Sequence, residues 1–166
     1  ETTQMGYTYT MNLNTSFTGD DNLYVRLRSG NGQDSLFTTK TLGTYLSMGT
    51  GYTDILKVDK IWYTTPVGDN NTLWFGPKIE NYYMHATTPS IYKPVTKQFT
   101  LGGNGAAYGA STKAGVGWAF NSDNGFAISS NVVSDDGGPL TNQKVTSWAT
   151  QVGITKPQYS ASLMVN

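Results

Sequence analysis

From Met5 onward the side chains alternate for about ten residues, with Met5, Tyr7, Tyr9, Met11 and Leu13 on one side and Gly6, Thr8, Thr10, Asn12 and Asn14 on the other. Successive Cβ atoms of an extended strand leave opposite faces, so a period of two predicts a β-strand. The turn run Thr18, Gly19, Asp20, Asp21 follows, and alternation resumes with Leu23, Val25 and Leu27 against Tyr24, Arg26 and Arg28. This predicts a hairpin with both arginines on its polar face.

The same unit recurs down the chain. Ile55 to Pro66 and Thr72 to Ile79 flank the turn at Gly68 to Asn71. Val116, Trp118 and Phe120 lead through Asn121 to Gly125 into Phe126, Ile128 and Val132. Val145 to Ile154 leads through Thr155 to Gln158 into Tyr159, Ala161, Leu163 and Val165. About eight strands in four hairpins result. One strand is irregular: Leu56, Val58 and Trp62 share a face with Lys60, while Ile61 and Tyr63 take the other, which a bulge would explain.

Loop lengths discriminate between all-β architectures. Turns inside the hairpins are short, whereas the connections Ser29 to Thr53, Glu80 to Lys113 and Asp135 to Asn142 are longer. Short and long alternate throughout, the pattern of a transmembrane barrel with short periplasmic turns and long extracellular loops. Aromatic residues gather near the short turns: Phe17, Tyr24, Tyr63, Trp74, Phe75, Phe120, Phe126 and Tyr159. That is where an interfacial girdle would sit. A soluble antiparallel sandwich with one packed and one solvated face produces the same alternation and stays as the alternative.

Composition narrows the function classes. Among 166 residues, 11 Lys and Arg balance 11 Asp and Glu, so no basic field exists to hold nucleic acid. Charged residues are only 13%, which suits a wall whose outward face meets lipid. With 0 Cys and 1 His there is little material for a thiolate or His-based metal site, a disulfide scaffold or a His-dependent triad. The paired carboxylates Asp20 with Asp21 and Asp135 with Asp136 lie in turns, where Asp bonds its own backbone, and do not form a glycosidase pair. The glycines of LGGNGAAYG lack the strand-to-helix setting of a phosphate loop. Neither enzymatic chemistry nor a cofactor is expected. No run approaches the ~18 apolar residues of a membrane helix, and any signal peptide is expected upstream or removed.

The stretches MNLNTSFTGDDNLYVRLRSGN, KVDKIWYTTPVGDNNTLWFGPKIENYYM and SIYKPVTKQFTLGGNGAAYGAS resemble, in continuous order, the first barrel strands and loops of cyanobacterial outer-membrane porins. These belong to the carbohydrate-selective and iron-uptake porin group. The resemblance covers Met11 to Ser111. It implies a passive pore for small hydrophilic solutes and ions in the cell outer membrane, with a barrel of roughly sixteen strands assembled as homotrimers. It also implies contact with peptidoglycan through a surface-layer-homology domain that these residues do not include. Residues 1–166 are thus expected to be one antiparallel transmembrane β-barrel domain, a segment of a larger wall whose close is not the aromatic terminus of a complete barrel. No iron-ligand cluster or sugar site is legible. A soluble extracellular carbohydrate-binding module and a structural envelope protein are the alternative readings.

Porin selectivity comes from pore width and from charges that project into the lumen. Arg26 and Arg28 are the expected lumen cations, favouring anions or neutral polar solutes. Lys57, Asp59 and Lys78 extend that charged lining, and Trp74 is expected on the polar side of its strand. The long Glu80 to Lys113 connection is the candidate constriction loop, with His85, Tyr92, Lys93 and Lys97 facing the pore.

Overall fold

The computed structural model describes residues 6–31, 54–87, 112–134 and 146–166. Its strands are β1 Thr8–Thr15, β2 Asn22–Gly30, β3 Lys57–Val67, β4 Asn71–Glu80, β5 Thr112–Asn121, β6 Phe126–Ser134, β7 Thr146–Lys156 and β8 Tyr159–Val165. All 8 belong to one sheet in chain order, and every printed ladder from β3 to β8 is antiparallel. The protein is therefore all-β, with the strands where alternation placed them. β1 starts at Thr8, and Met5 lies outside the described residues. A single 3-10 turn, Asn81–Met84, is the one helical element among the described residues.

The chain divides into two compact units, residues 1–14 with 24–60 and residues 15–23 with 61–166. In the first, the Tyr7 amide donates to Asn31 Oδ1 at 2.9 Å and the Asn31 amide returns a bond to Tyr7 O at 3.2 Å. The Tyr7 hydroxyl donates to Asp54 Oδ1 at 2.6 Å, and the Tyr24 hydroxyl to Asn12 Oδ1 at 2.7 Å. These bonds tie the long connection's far end to β1 and brace β2 against it.

In the second unit the tight turn before β2 is organised by Asp21. Its carboxylate accepts from the Ser16 hydroxyl at 2.6 Å, from the Phe17 and Thr18 amides at 3.0 and 2.7 Å, and from the Tyr63 hydroxyl at 2.5 Å. The ring of Tyr63 lies between Phe17 and Phe75, at centroid distances of 6.2 and 5.3 Å. The β5–β6 turn depends on Gly125, whose φ is 87° and whose missing Cβ would lie 2.1 Å from Thr155 O.

The ladders sort the second unit's residues into two faces, because directly paired residues share one. One face carries rows of small or polar side chains: Thr72, Ala119, Ser129, Gln151 and Met164; Trp74, Gly117, Asn131 and Ala149; Gly76, Gly115, Val133 and Ser147. The other carries Phe120, Ile128, Val152 and Leu163, then Phe75, Val116, Val132 and Trp148. The small-residue face holds the buried centre, where Ile79, Met84, Val133, Ala119 and Ala149 meet Ser129, Asn131 and Gln151. The apolar face is open: Leu163 is 75% and Trp148 66% exposed, and Phe75, Val116, Val152 and Tyr159 are also exposed. This inverts the usual order of a soluble sheet, whose larger apolar face is the covered one.

A candidate functional site: the strap on the small-residue face

After β4 the chain runs back across its own sheet. Residues 81–87 form a strap that passes from β5 over β6 to β7, fastened at each step. Asn81 Nδ2 donates to Asn131 Oδ1 at 2.8 Å and more weakly to Ser147 O at 3.4 Å. His85 Nδ1 lies 3.3 Å from Asn131 Nδ2. The Ala86 amide donates to Ser129 Oγ at 3.1 Å. At the far end the Thr87 amide donates to Gln151 Oε1 at 3.0 Å, while Gln151 Nε2 donates to Thr87 O at 2.7 Å. Gln151 so imitates the paired bonds of a strand neighbour.

Glycine makes room for this approach. A Cβ on Gly117 would lie 2.6 Å from Met84 Sδ, and one on Gly153 would lie 2.2 Å from Thr87 Oγ1. Any larger residue at either position would hold the strap off the wall. Met84 is fully buried in the resulting seat, and Asn81, His85 and Thr87 are buried with it. Beside the seat, Trp62 packs on Tyr83 with ring centroids 4.8 Å apart, and Tyr83 stacks on Tyr82 at 4.2 Å.

The sequence-based candidates divide as follows. His85 lies in the strap and is buried against Asn131. Trp74 stands opposite Thr64 and Gly117, on the small-residue face as expected. Lys78 is placed differently. The ladder slips by one residue between Gly76 and Ile79, so Ile79 and not Lys78 continues the row that ends in Gly76. Ile79 is buried with its Cγ2 against the Gly115 position, and Lys78 pairs with Ile61 on the opposite face. Tyr92, Lys93 and Lys97 lie outside the described residues.

In the first unit, Arg26 and Arg28 both meet Asp59. Arg26 donates to Asp59 Oδ2 through Nε and Nη2 at 2.5 Å, and Arg28 Nη1 is 3.9 Å from the same oxygen. The three side chains are 14–21% exposed, so this is a partly buried cluster of net charge +1 in which Asp59 offsets one arginine. Lys57 is exposed at the start of β3, whereas Lys60 is buried at 3%.

Sequence reasoning passed over Lys60, Asn81, Met84, Asn131 and Gln151. The available signal was the unusual run of Gly115, Gly117 and Ala119 on one face, which marks a place where something approaches closely. Among the described residues no group of three or more His, Asp or Glu side chains converges as a metal site would require. No described helix is long and apolar enough to cross a membrane.

No protein-family model matches the chain, and no solved structure matches it. It is similar to "Uncharacterized protein sll0772" of Synechocystis sp. (strain ATCC 27184 / PCC 6803 / Kazusa), 36% identical over 74 residues. That stretch is 45% of this chain and 14% of the relative, so the chain is matched over about a seventh of the cyanobacterial protein's length.

Proposed function

We propose that these residues are part of the wall of an outer-membrane porin, a passive pore for small hydrophilic solutes and ions, including sugars and inorganic ions. The observation that carries the reading is the inverted sheet: apolar side chains exposed on one face, small and polar ones on the other, with a chain segment lying on the latter. An apolar patch of this extent on a protein surface calls for a covering, and an acyl-chain layer covers a whole face without a second sheet. All described strands belong to one sheet, so no described strand serves as the other half of a sandwich.

Strand lengths agree. β2 to β7 have 9 to 11 residues, the length that crosses a hydrocarbon core at a barrel's tilt. Phe17, Phe75, Phe126 and Tyr159 are exposed near the short turns, where an aromatic girdle would meet headgroups. In this reading the small-residue face lines water and the 81–87 strap narrows the lumen. Lys78, on the apolar face near the end of β4, would extend its ammonium to the interface. Closure with further strands, a trimeric assembly, attachment to peptidoglycan and a place in the outer membrane belong to the same proposal, as does the absence of catalysis and of a bound cofactor.

Heat-modifiable migration in detergent gels tests it. A closed barrel resists the detergent until boiled, so an unboiled sample should run ahead of a boiled one. Identical migration would overturn the barrel and bring forward a soluble sheet protein that binds carbohydrate.

A further inference from the structure

His85 is buried at 6% exposure, in a setting that dictates its protonation state. Asn81 Nδ2 donates to Asn131 Oδ1 at 2.8 Å and towards Ser147 O at 3.4 Å. The other end of the Asn131 amide, its Nδ2, therefore faces Asn81 O at 3.4 Å and His85 Nδ1 at 3.3 Å. Turning both amides over would set oxygen against oxygen at Ser147 O and at Asn81 O, so the neighbours fix the orientation. An amide nitrogen only donates, and His85 Nδ1 must accept, which requires a neutral imidazole with its hydrogen on Nε2. Adding a proton at Nδ1 would oppose two donors inside a buried seat and leave the new charge without that bond.

We infer that His85 is an acid-sensitive latch: its protonation unseats the 81–87 strap from the small-residue face and narrows the pore. The narrowing rests on the porin reading above; the unseating rests on the His85–Asn131 geometry alone. The direction follows from the seat. Gly117 and Gly153 let the strap lie against the wall, so a strap that leaves them stands further into the lumen.

On the face that receives the strap, β6 presents Ala127, Ser129, Asn131 and Val133, and β7 presents Ser147, Ala149, Gln151 and Gly153, none ionisable. The ionisable side chains on the remaining neighbours are Lys78 and Glu80 on β4, Lys113 on β5, and Tyr82 and Tyr83 in the strap itself. Ordinary lysine and tyrosine side chains keep their charge between about pH 7.5 and pH 5, which leaves Glu80 as the group to control for.

The test combines hydrogen exchange at the Ala86 and Thr87 amides with single-channel conductance, at about pH 7.5 and about pH 5, across the ordinary histidine range. In the wild-type protein, protection at both amides, corrected for the intrinsic rate, should fall by about tenfold or more at the lower pH, and conductance should drop. His85→Gln should abolish both responses, and Glu80→Gln should keep them. Asn131→Asp supplies an acceptor for the protonated ring and should hold the strap in place at the lower pH. Wild-type protection that does not change, or an acid response that persists in His85→Gln, overturns the latch. Should His85→Gln fail to fold, Asn131→Asp decides: an acid response that survives there overturns it. Silence of the channel at both pH values would overturn the pore reading, while exchange at Ala86 and Thr87 would still decide the latch.

Discussion

Thr87 and Gln151 exchange two hydrogen bonds across 64 residues of sequence, 3.0 Å from the Thr87 amide to Oε1 and 2.7 Å from Nε2 to the Thr87 carbonyl. One side chain so satisfies both backbone groups of a residue that has no strand partner. In Gln151→Ala those buried groups lose their partners, and each unsatisfied group costs about 1–3 kcal/mol. The expected result is a lower urea midpoint for the folded protein together with faster exchange at Thr87. A variant that keeps the wild-type exchange rate there would show that the pair does not hold the strap.

Gly117 and Met84 should prove coupled. Gly117→Ala places a methyl group where Met84 Sδ now lies, 2.6 Å from the added atom, and overpacking of this kind costs about 1–3 kcal/mol. Met84→Ala creates a cavity on its own, but in the double variant each change relieves the other. A double-mutant cycle on unfolding should therefore give a clearly non-additive energy. Additive losses would mean that the strap does not rest on Gly117.

Acid should weaken the β1–β2 turn through Asp21. The Ser16 hydroxyl, then the Tyr63 hydroxyl and the Thr18 amide, bond the ionised carboxylate and hold its pKa well below the usual carboxylate range. The folded-state pKa is depressed, so the stabilisation is fully present above the ordinary Asp value near 3.9 and is lost as pH falls below it. Asp21→Asn removes the titrating group. Its unfolding midpoint should change less than the wild type's between about pH 6 and pH 3. Parallel pH profiles for the two proteins would contradict this.

Neighbouring residues on β8 test the assignment of faces. Leu163 pairs with Val152 on the apolar face and Ser162 with Gly153 on the small-residue face. Leu163→Arg puts a charge among acyl chains, at a cost of about 2–4 kcal/mol near the midplane, and should reduce the heat-modifiable fraction. Ser162→Arg faces water in the same account and should insert normally. Equal behaviour of the two variants would remove the lipid-facing assignment.

The cluster around Asp59 yields a test by charge reversal. Arg26→Glu together with Arg28→Glu should raise cation preference, read as a shift of the reversal potential in a salt gradient. An unchanged potential would take both arginines out of the pore lining.

Strand positions were legible in the residues because each strand from β5 to β8 alternates large apolar with small or polar side chains, and a period of two needs no tertiary information. The placement of Lys78 was not legible. One extra residue between Gly76 and Ile79 reverses every later side chain of β4, and composition does not mark the slip. The strap was visible only as a long connection. Asn81 reaches Asn131 across 50 residues and Ala86 reaches Ser129 across 43, so its structure comes from distant polar partners and not from a local repeat. Arg26 and Arg28 were legible as neighbours on one face, but their shared partner Asp59 lies 33 residues from Arg26, on another strand.

The central claim, that this sheet is the wall of a pore, is tested most directly by single-channel conductance of the native, detergent-extracted protein in a planar bilayer, with its intact mass recorded on the same sample. Stepwise conductance from a polypeptide much larger than 18.0 kDa is the expected result. Absence of conductance from a folded protein incorporated in the bilayer would contradict it.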